Sequence, residues 1–123
     1  MDDRNVDPRA VASDLLAAER SKAMARVASL TGQFTGIVES SGSNASDDEH
    51  DPEGQTIAFE RAQVDALLAL ARGELAALDR AEQRLRDGSY GRCERCGREI
   101  AAPRLLALPA ASTCIHCAVA AGG

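Results

Sequence analysis

Aromatic side chains are nearly absent from this chain of 123 residues, which has two phenylalanines, one tyrosine and no tryptophan. Alanine supplies much of the 45% apolar content, so few large side chains remain to fill a globular core. What is abundant instead, Ala, Leu, Glu and Arg, favours long helices joined along a narrow seam, and the expected molecule is elongated. Long apolar runs are missing too. The longest, Ala66 to Ala71, is far too short to cross a bilayer, and MDDRNVDPRA shows no basic stretch followed by an apolar one. A cytoplasmic chain with no membrane association is the expectation.

Catalytic patterns are also lacking. There is no phosphate-cradling glycine loop and no nucleophile elbow, and neither His50 nor His116 has a nucleophile or paired base at a recognisable spacing. The chain is not expected to be an enzyme. Positive charge is unevenly scarce: no Lys or Arg falls between Arg26 and Arg61, the gap that holds Glu39, Asp47, Asp48, Glu49, Asp51, Glu53 and Glu60. With a net charge of −5 and a pI near 5.0, the whole chain would be repelled by a phosphate backbone, which disfavours sequence-specific DNA binding. Asp79 to Arg104, with seven arginines against five acids, is locally basic.

What is present is concentrated. All four cysteines lie in two identical pairs, Cys93-x-x-Cys96 and Cys114-x-x-Cys117, separated by seventeen residues. Zinc takes four ligands tetrahedrally, and two such pairs on tight turns can saturate one ion. Gly97 directly after Cys96 suits such a turn because it adopts positive φ without a Cβ clash. Two disulfides or a redox dithiol are the competing readings, and a reducing compartment favours one Zn²⁺. Four cysteines already fill the coordination sphere, so His116 is not needed as a ligand and no position is left for an activated water. Arg92, Arg95 and Arg98 could offset the formal charge of a zinc tetrathiolate, or could be ordinary surface charges.

The rest of the chain reads as two helices. Asp7 is a candidate N-cap and Pro8 suits a first turn, after which Leu16, Ala23, Val27, Leu30, Phe34 and Ile37 recur at helical intervals to about Ser40. Gly32 and Gly36 invite fraying or a kink in its last turns. Ser40 to Gly54 reads as a loop, either a solvated linker or an acidic tip presented to a partner, with Thr56 as a candidate cap for the second helix. From there to Asp87, Ile57, Val64, Ala71, Leu78 and Leu85 are spaced seven apart, with Leu68 and Leu75 between them, which is a heptad seam. Two helices of about 32 residues joined by one loop fit an antiparallel hairpin and a monomer, while pairing with a second copy is the rival explanation of the heptads. Gly88 is the candidate C-cap. The expected fold is mainly α, a long antiparallel helical hairpin (coiled coil) with a small C-terminal four-cysteine zinc-finger module. Its expected organisation is a disordered N-terminus at 1–7, a hairpin at 8–87 with an acidic tip loop at 40–55, a zinc finger at 88–118 and a flexible tail at 119–123.

The segment DGSYGRCERCGREIAAPRLLALPAASTCIHCA resembles the four-cysteine zinc finger of the DksA/TraR family of bacterial transcription regulators, and DEHDPEGQTIAFERAQVDALL with the hairpin is similar to that family's coiled coil and tip. The resemblance implies an RNA polymerase accessory factor. In that family the coiled coil enters the enzyme's secondary channel, acids at the tip approach the active centre, and initiation is altered through open-complex stability, often with guanosine tetraphosphate in the stringent response. It implies zinc ligation by Cys93, Cys96, Cys114 and Cys117, and partner contact by Asp48, Asp51 and Glu53. The tip departs from the family's D-P-x-D arrangement: Asp51-Pro52-Glu53-Gly54 keeps the first acid and has glycine at the second, while Asp48 and Asp51 repeat the spacing in a shifted register. A zinc-thiolate redox sensor and a DNA-binding zinc finger remain the alternatives.

Overall fold

The computed structural model describes residues 7–43 and 52–122. Four helices succeed one another, α1 (Pro8–Ser43), α2 (Pro52–Asp87), α3 (Ala102–Ala107) and α4 (Ile115–Ala120), and among the described residues there is no strand, only a single bridge between Arg92 and Glu99. α1 and α2 form the hairpin, each 36 residues and so about 54 Å long. No helix of the described residues is long and apolar enough to cross a membrane.

Both helices reach further into the expected tip loop than composition suggests. Residues 40–43 and 52–55 are helical, and α1 passes through Gly32 and Gly36 without interruption. Adding a residue to an existing helix gains one hydrogen bond for each residue fixed, so a few poor helix formers at the end of a long helix are tolerated. At the other side of the tip, Pro52 needs no intrahelical N–H partner at a first position, and Glu53 in the first turn complements the helix dipole. Thr56 is therefore inside α2 and not its cap. Asp7, the candidate N-cap at the edge of the terminus expected to be disordered, caps α1: its Oδ1 accepts the Arg9 N–H at 3.0 Å and its carbonyl accepts the Val11 N–H at 3.1 Å.

The chain divides into two compact units, Met1–Ser21 with Leu75–Gly123, and Lys22–Glu74. In the second, Leu30, Val64, Leu68 and Ala71 form a buried cluster with Val27, Phe34 and Ile37 packed against it, so the heptad seam is the packing surface between α1 and α2. The Arg61 guanidinium lies 5.5 Å from the centre of the Phe34 ring, and Arg26 Nη2 donates to Glu74 Oε2 at 2.5 Å. In the first unit, Ala12 and Leu16 of α1 and Leu78 and Ala81 of α2 are buried, and Arg20 bridges Asp79 and Glu82. These cross-seam ion pairs are about half exposed and contribute at most about 1 kcal/mol each, so the apolar seam carries the pairing.

Candidate metal centre

The base of the site is the end of α2. Gly88 has φ +87°, and the Ser89 and Tyr90 N–H groups both return to the Arg84 carbonyl, at 2.9 and 3.1 Å. The Ser89 bond is the six-to-one bond of a Schellman motif, which only a residue tolerant of positive φ at Gly88 permits. Asp87 braces the turn by accepting from the Ser89 N–H at 3.0 Å and hydroxyl at 2.6 Å, and these bonds hold its carboxyl below the ordinary value. Arg9 of α1 adds a donor to the Leu85 carbonyl at 2.7 Å, satisfying one of the last-turn oxygens a helix leaves unpaired.

The chain then turns through the first cysteine pair. Ile100 N–H bonds to Gly91 O at 2.7 Å, Cys93 N–H to Arg98 O at 2.8 Å, and Gly97 N–H to Cys93 O at 2.9 Å, with Gly97 at φ +77°. The positive φ expected of Gly97 is what closes this knuckle. The second pair is built differently, on α4: Cys114 immediately precedes the helix and Cys117 lies in its first turn.

These two constructions bring the four sulfurs together. All four Sγ atoms lie within 4.8 Å of one another, and Cys96 Sγ is 3.8 Å from Cys114 Sγ. A tetrahedron with metal–sulfur bonds of about 2.3 Å has edges of about 3.8 Å, so this spacing fits one tetrahedral ion and is far too long for a disulfide at about 2.05 Å. The four cysteines are placed to hold one zinc ion. His116 is exposed and outside the cluster. Cys93 and Cys114 are buried with Ile100, and Leu105 and Cys117 pack against them, so the metal centre is also the module's apolar core. Cys96 is exposed.

The thiols are not equivalent. Hydrogen bonds from the backbone of Cys96, then of Cys114 and Arg95, lower Cys93 to about 6, against an ordinary value near 9. The Cys117 backbone holds Cys114 low in the same way, whereas Cys117, bonded to the sulfurs of Cys93 and Cys114, is pushed up to about 12. Metal binding takes the thiolate form of each ligand, so any proton left on a sulfur is released when the ion enters. Backbone amides thus supply hydrogen bonds to the sulfurs of Cys93 and Cys114. Arg92 instead points its Nη1 at Gly97 O, 3.4 Å away.

Sequence reasoning missed the groups that fix the loop entering the second pair. Three side chains donate to alternate carbonyls of that loop: Tyr90 Oη to Pro109 at 2.8 Å, Arg84 Nη2 to Ala111 at 3.4 Å, and Arg104 Nε to Thr113 at 2.9 Å. Glu94 N–H takes the carbonyl between the last two, Ser112, at 2.8 Å. Burial pushes the Tyr90 hydroxyl above its ordinary value. Arg84 is the one buried charged residue among those described, with Nη1 3.5 Å from Glu94 Oε1 and a buried Nε without a partner. Its place in an ordinary-looking run of charged residues gave no sign of this.

An open cavity of about 500 Å³ lies beside the module, lined by residues that include Leu15, Leu85, Tyr90 and Leu105. Arg9 and Tyr90, the polar side chains on its wall, already bond Leu85 O and Pro109 O, so convergent free polar groups of the kind that fix a specific small ligand are missing there. Of the expected tip residues, Glu53 is exposed in the first turn of α2, and Asp48 and Asp51 lie outside the described residues.

The family model of the prokaryotic dksA/traR C4-type zinc finger matches residues 88–121. A protein from Aquifex aeolicus with no described function is 48% identical over 44 residues, which is 36% of this chain and 30% of that protein's length. Transcription factor DksA2 from Pseudomonas aeruginosa superposes with a TM-score of 0.78 at 26% identity, covering 99% of this chain and 90% of the other. The DnaK suppressor protein from Agrobacterium tumefaciens is 27% identical, with 85% of this chain and 91% of the other covered at a TM-score of 0.45.

Proposed function

We propose that the chain, whose residues 88–121 match the DksA/TraR zinc finger and whose fold is similar to that of DksA2, is a cytoplasmic transcription regulator of that family that binds RNA polymerase through the secondary channel and modulates initiation through acids at its hairpin tip. The observation that carries this reading is the likeness of nearly the whole chain, hairpin and metal module together, to a transcription factor of the same fold. Charge distribution supports it. Asp47, Asp48, Glu49, Asp51 and Glu53 fall between the two long helices or in the first turn of the second, in a stretch with no Lys or Arg.

In this reading the two parts divide the work. The zinc, when bound, cross-links four points of a segment too poor in large side chains to fold on its own core, and so holds the hairpin's base. The helices present the tip, and its carboxylates act on the cations and hydrogen-bond donors they meet in the enzyme, which is the only electrostatic handle a carboxylate offers. Asp48, Asp51 and Glu53 are the residues assigned to this contact, and guanosine tetraphosphate at the polymerase interface is the expected co-regulator.

The test is a pull-down with purified core polymerase, and then initiation assays with and without the nucleotide. Wild type is expected to bind and to change the lifetime of open complexes. The Asp48→Ala/Asp51→Ala chain is expected to bind and leave the lifetime unchanged. No binding by wild type, or full activity of the double variant, overturns the reading.

A further inference from the structure

α2 has a second apolar face that the hairpin does not use. At 100° per residue, Phe59, Ala62, Ala66, Ala69, Leu70 and Gly73, with Gln63 the one polar member, fall within an arc of about 120° turned away from the seam residues Val64, Leu68 and Ala71. Every residue of this arc is exposed, Phe59 and Leu70 each at 66%. The charged residues of the same stretch, Glu60, Arg61, Asp65 and Arg72, all lie outside it. Two nearby charges are drawn toward α1: Arg61 stacks over Phe34 and Glu74 pairs with Arg26. A solvated helix normally carries its charge on the face opposite its seam, and here that face carries none.

We propose that this face joins two copies of the chain through α2, packed antiparallel about a two-fold axis at Ala66. The order of side chains argues for a second copy and for this direction. An isologous contact places residue k opposite residue 132 − k, which sets Phe59 against Gly73, Leu70 against Ala62, Gln63 against Ala69, and Ala66 against itself. Each large side chain meets a small one, and a pair of alanines lies on the axis, where backbones approach most closely. A parallel pair would set Phe59 on Phe59 and Leu70 on Leu70 while leaving alanine facing alanine between them, with gaps that close packing does not tolerate. The contact is compatible with the intramolecular hairpin, since it uses the other side of α2, but it departs from the monomer expected from the sequence.

The area sets the strength. Fifteen residues of one helix face span about 21 Å along the axis and about 10 Å across, which places the buried surface at the low end of specific interfaces, under roughly 1,200 Å² in total. The dimer is therefore a concentrated-solution species. In sedimentation equilibrium on the zinc-loaded chain, the apparent mass is expected to rise from 12.9 kDa toward twice that value as concentration increases from about 10 to about 500 µM. Leu70→Glu is expected to keep the helicity of wild type and abolish the rise.

Cross-linking makes the register testable independently of that variant. With a short bismaleimide, Ala66→Cys is expected to give a covalent dimer at least tenfold more efficiently than Gly73→Cys, whose copies sit about 21 Å apart along the axis. A mixture of Phe59→Cys and Gly73→Cys is expected to cross-link to each other. A constant 12.9 kDa mass at all concentrations, or equal yields for Ala66→Cys and Gly73→Cys, overturns the proposal. So does a Leu70→Glu chain that loses polymerase binding when the wild-type chain never dimerises, because the face would then belong to the enzyme.

Discussion

Replacing Arg84 tests whether the buried guanidinium stabilises the metal module or merely occupies it. The side chain is only 11% exposed, yet its bonds are long, 3.4 Å to Ala111 O and 3.5 Å to Glu94 Oε1, and the Glu94 carboxylate is 52% exposed. At those lengths each contributes about 1 kcal/mol, below the range usual for charged donors. The buried Nε–H without a partner costs about 1–3 kcal/mol. The two sides nearly cancel, so Arg84→Met, which keeps the stem and removes the polar atoms, is expected to change stability by no more than about 1 kcal/mol, as replacement of buried ions by apolar isosteres often does. Arg84→Ala also removes methylenes of the stem from the packed end of α2, at about 0.8 kcal/mol each, and is expected to cost about 2 kcal/mol more than Arg84→Met. Urea unfolding of the zinc-loaded chain, with zinc release read by a chromogenic chelator, measures both. If the two substitutions cost the same and each exceeds about 3 kcal/mol, the guanidinium bonds carry the stability and the reasoning fails.

The remaining expectations concern other parts of the molecule. Removing zinc should release the amide protection of residues 88–121 while leaving α1 and α2 helical, so hydrogen exchange with and without chelator should separate the two; loss of most helicity would refute this. Tyr90 titrates above its unfolded value of about 10 because of burial, so its contribution is fully present below pH 10 and is lost as pH rises through the higher folded value. Alkaline unfolding should therefore be less steep in Tyr90→Phe, which also loses the bond to Pro109 O at a cost of about 1 kcal/mol near neutral pH. Leu16 is fully buried, and Leu16→Ala should cost about 2–5 kcal/mol by thermal or urea unfolding, against a few tenths for Leu106→Ala, which is 61% exposed.

Periodicity made the hairpin readable. Val64, Ala71 and Leu78 of the heptad series and Leu16, Ala23 and Leu30 of the α1 series are all buried, because one seam repeats the same physical demand at every turn. The cysteine spacing made the metal centre readable for a similar reason: two x-x pairs satisfy one tetrahedral ion almost regardless of what surrounds them. Helix ends were less legible. Gly42 and the serines at 40, 41 and 43 signal a loop by composition, but the cost of extending α1 through them is small once about thirty residues precede them. Least legible were Arg84, Tyr90 and Arg104. Their roles depend on where the loop at 108–113 passes, and that is decided by tertiary placement and not by neighbours in sequence.

That loop explains how so small an apolar core can coexist with a defined metal site. Only Cys93, Ile100 and Cys114 are buried in the module's core cluster, so side-chain packing cannot by itself determine where the second cysteine pair arrives. The loop leading to Cys114 has an irregular course, and its carbonyls would be free to choose water. Instead the carbonyls of Pro109, Ala111, Ser112 and Thr113 are engaged, and two of the donors, Arg84 and Tyr90, stand on either side of the Gly88 turn that ends α2. The Schellman turn therefore has two consequences. It stops the helix, and it aims Tyr90 at Pro109 while the same Arg84 whose carbonyl closes the turn reaches Ala111 with its side chain. Any substitution at Gly88 that cannot hold φ +87° would displace both donors at once, and with them the approach of Cys114 to the Cys96 sulfur 3.8 Å away. Gly88→Ala is accordingly expected to weaken zinc affinity as well as stability, although a Cβ there meets no atom within 4 Å. Competition with a chelator of known affinity measures this directly, and an unchanged zinc affinity in that variant would show that the metal module does not take its geometry from the end of α2.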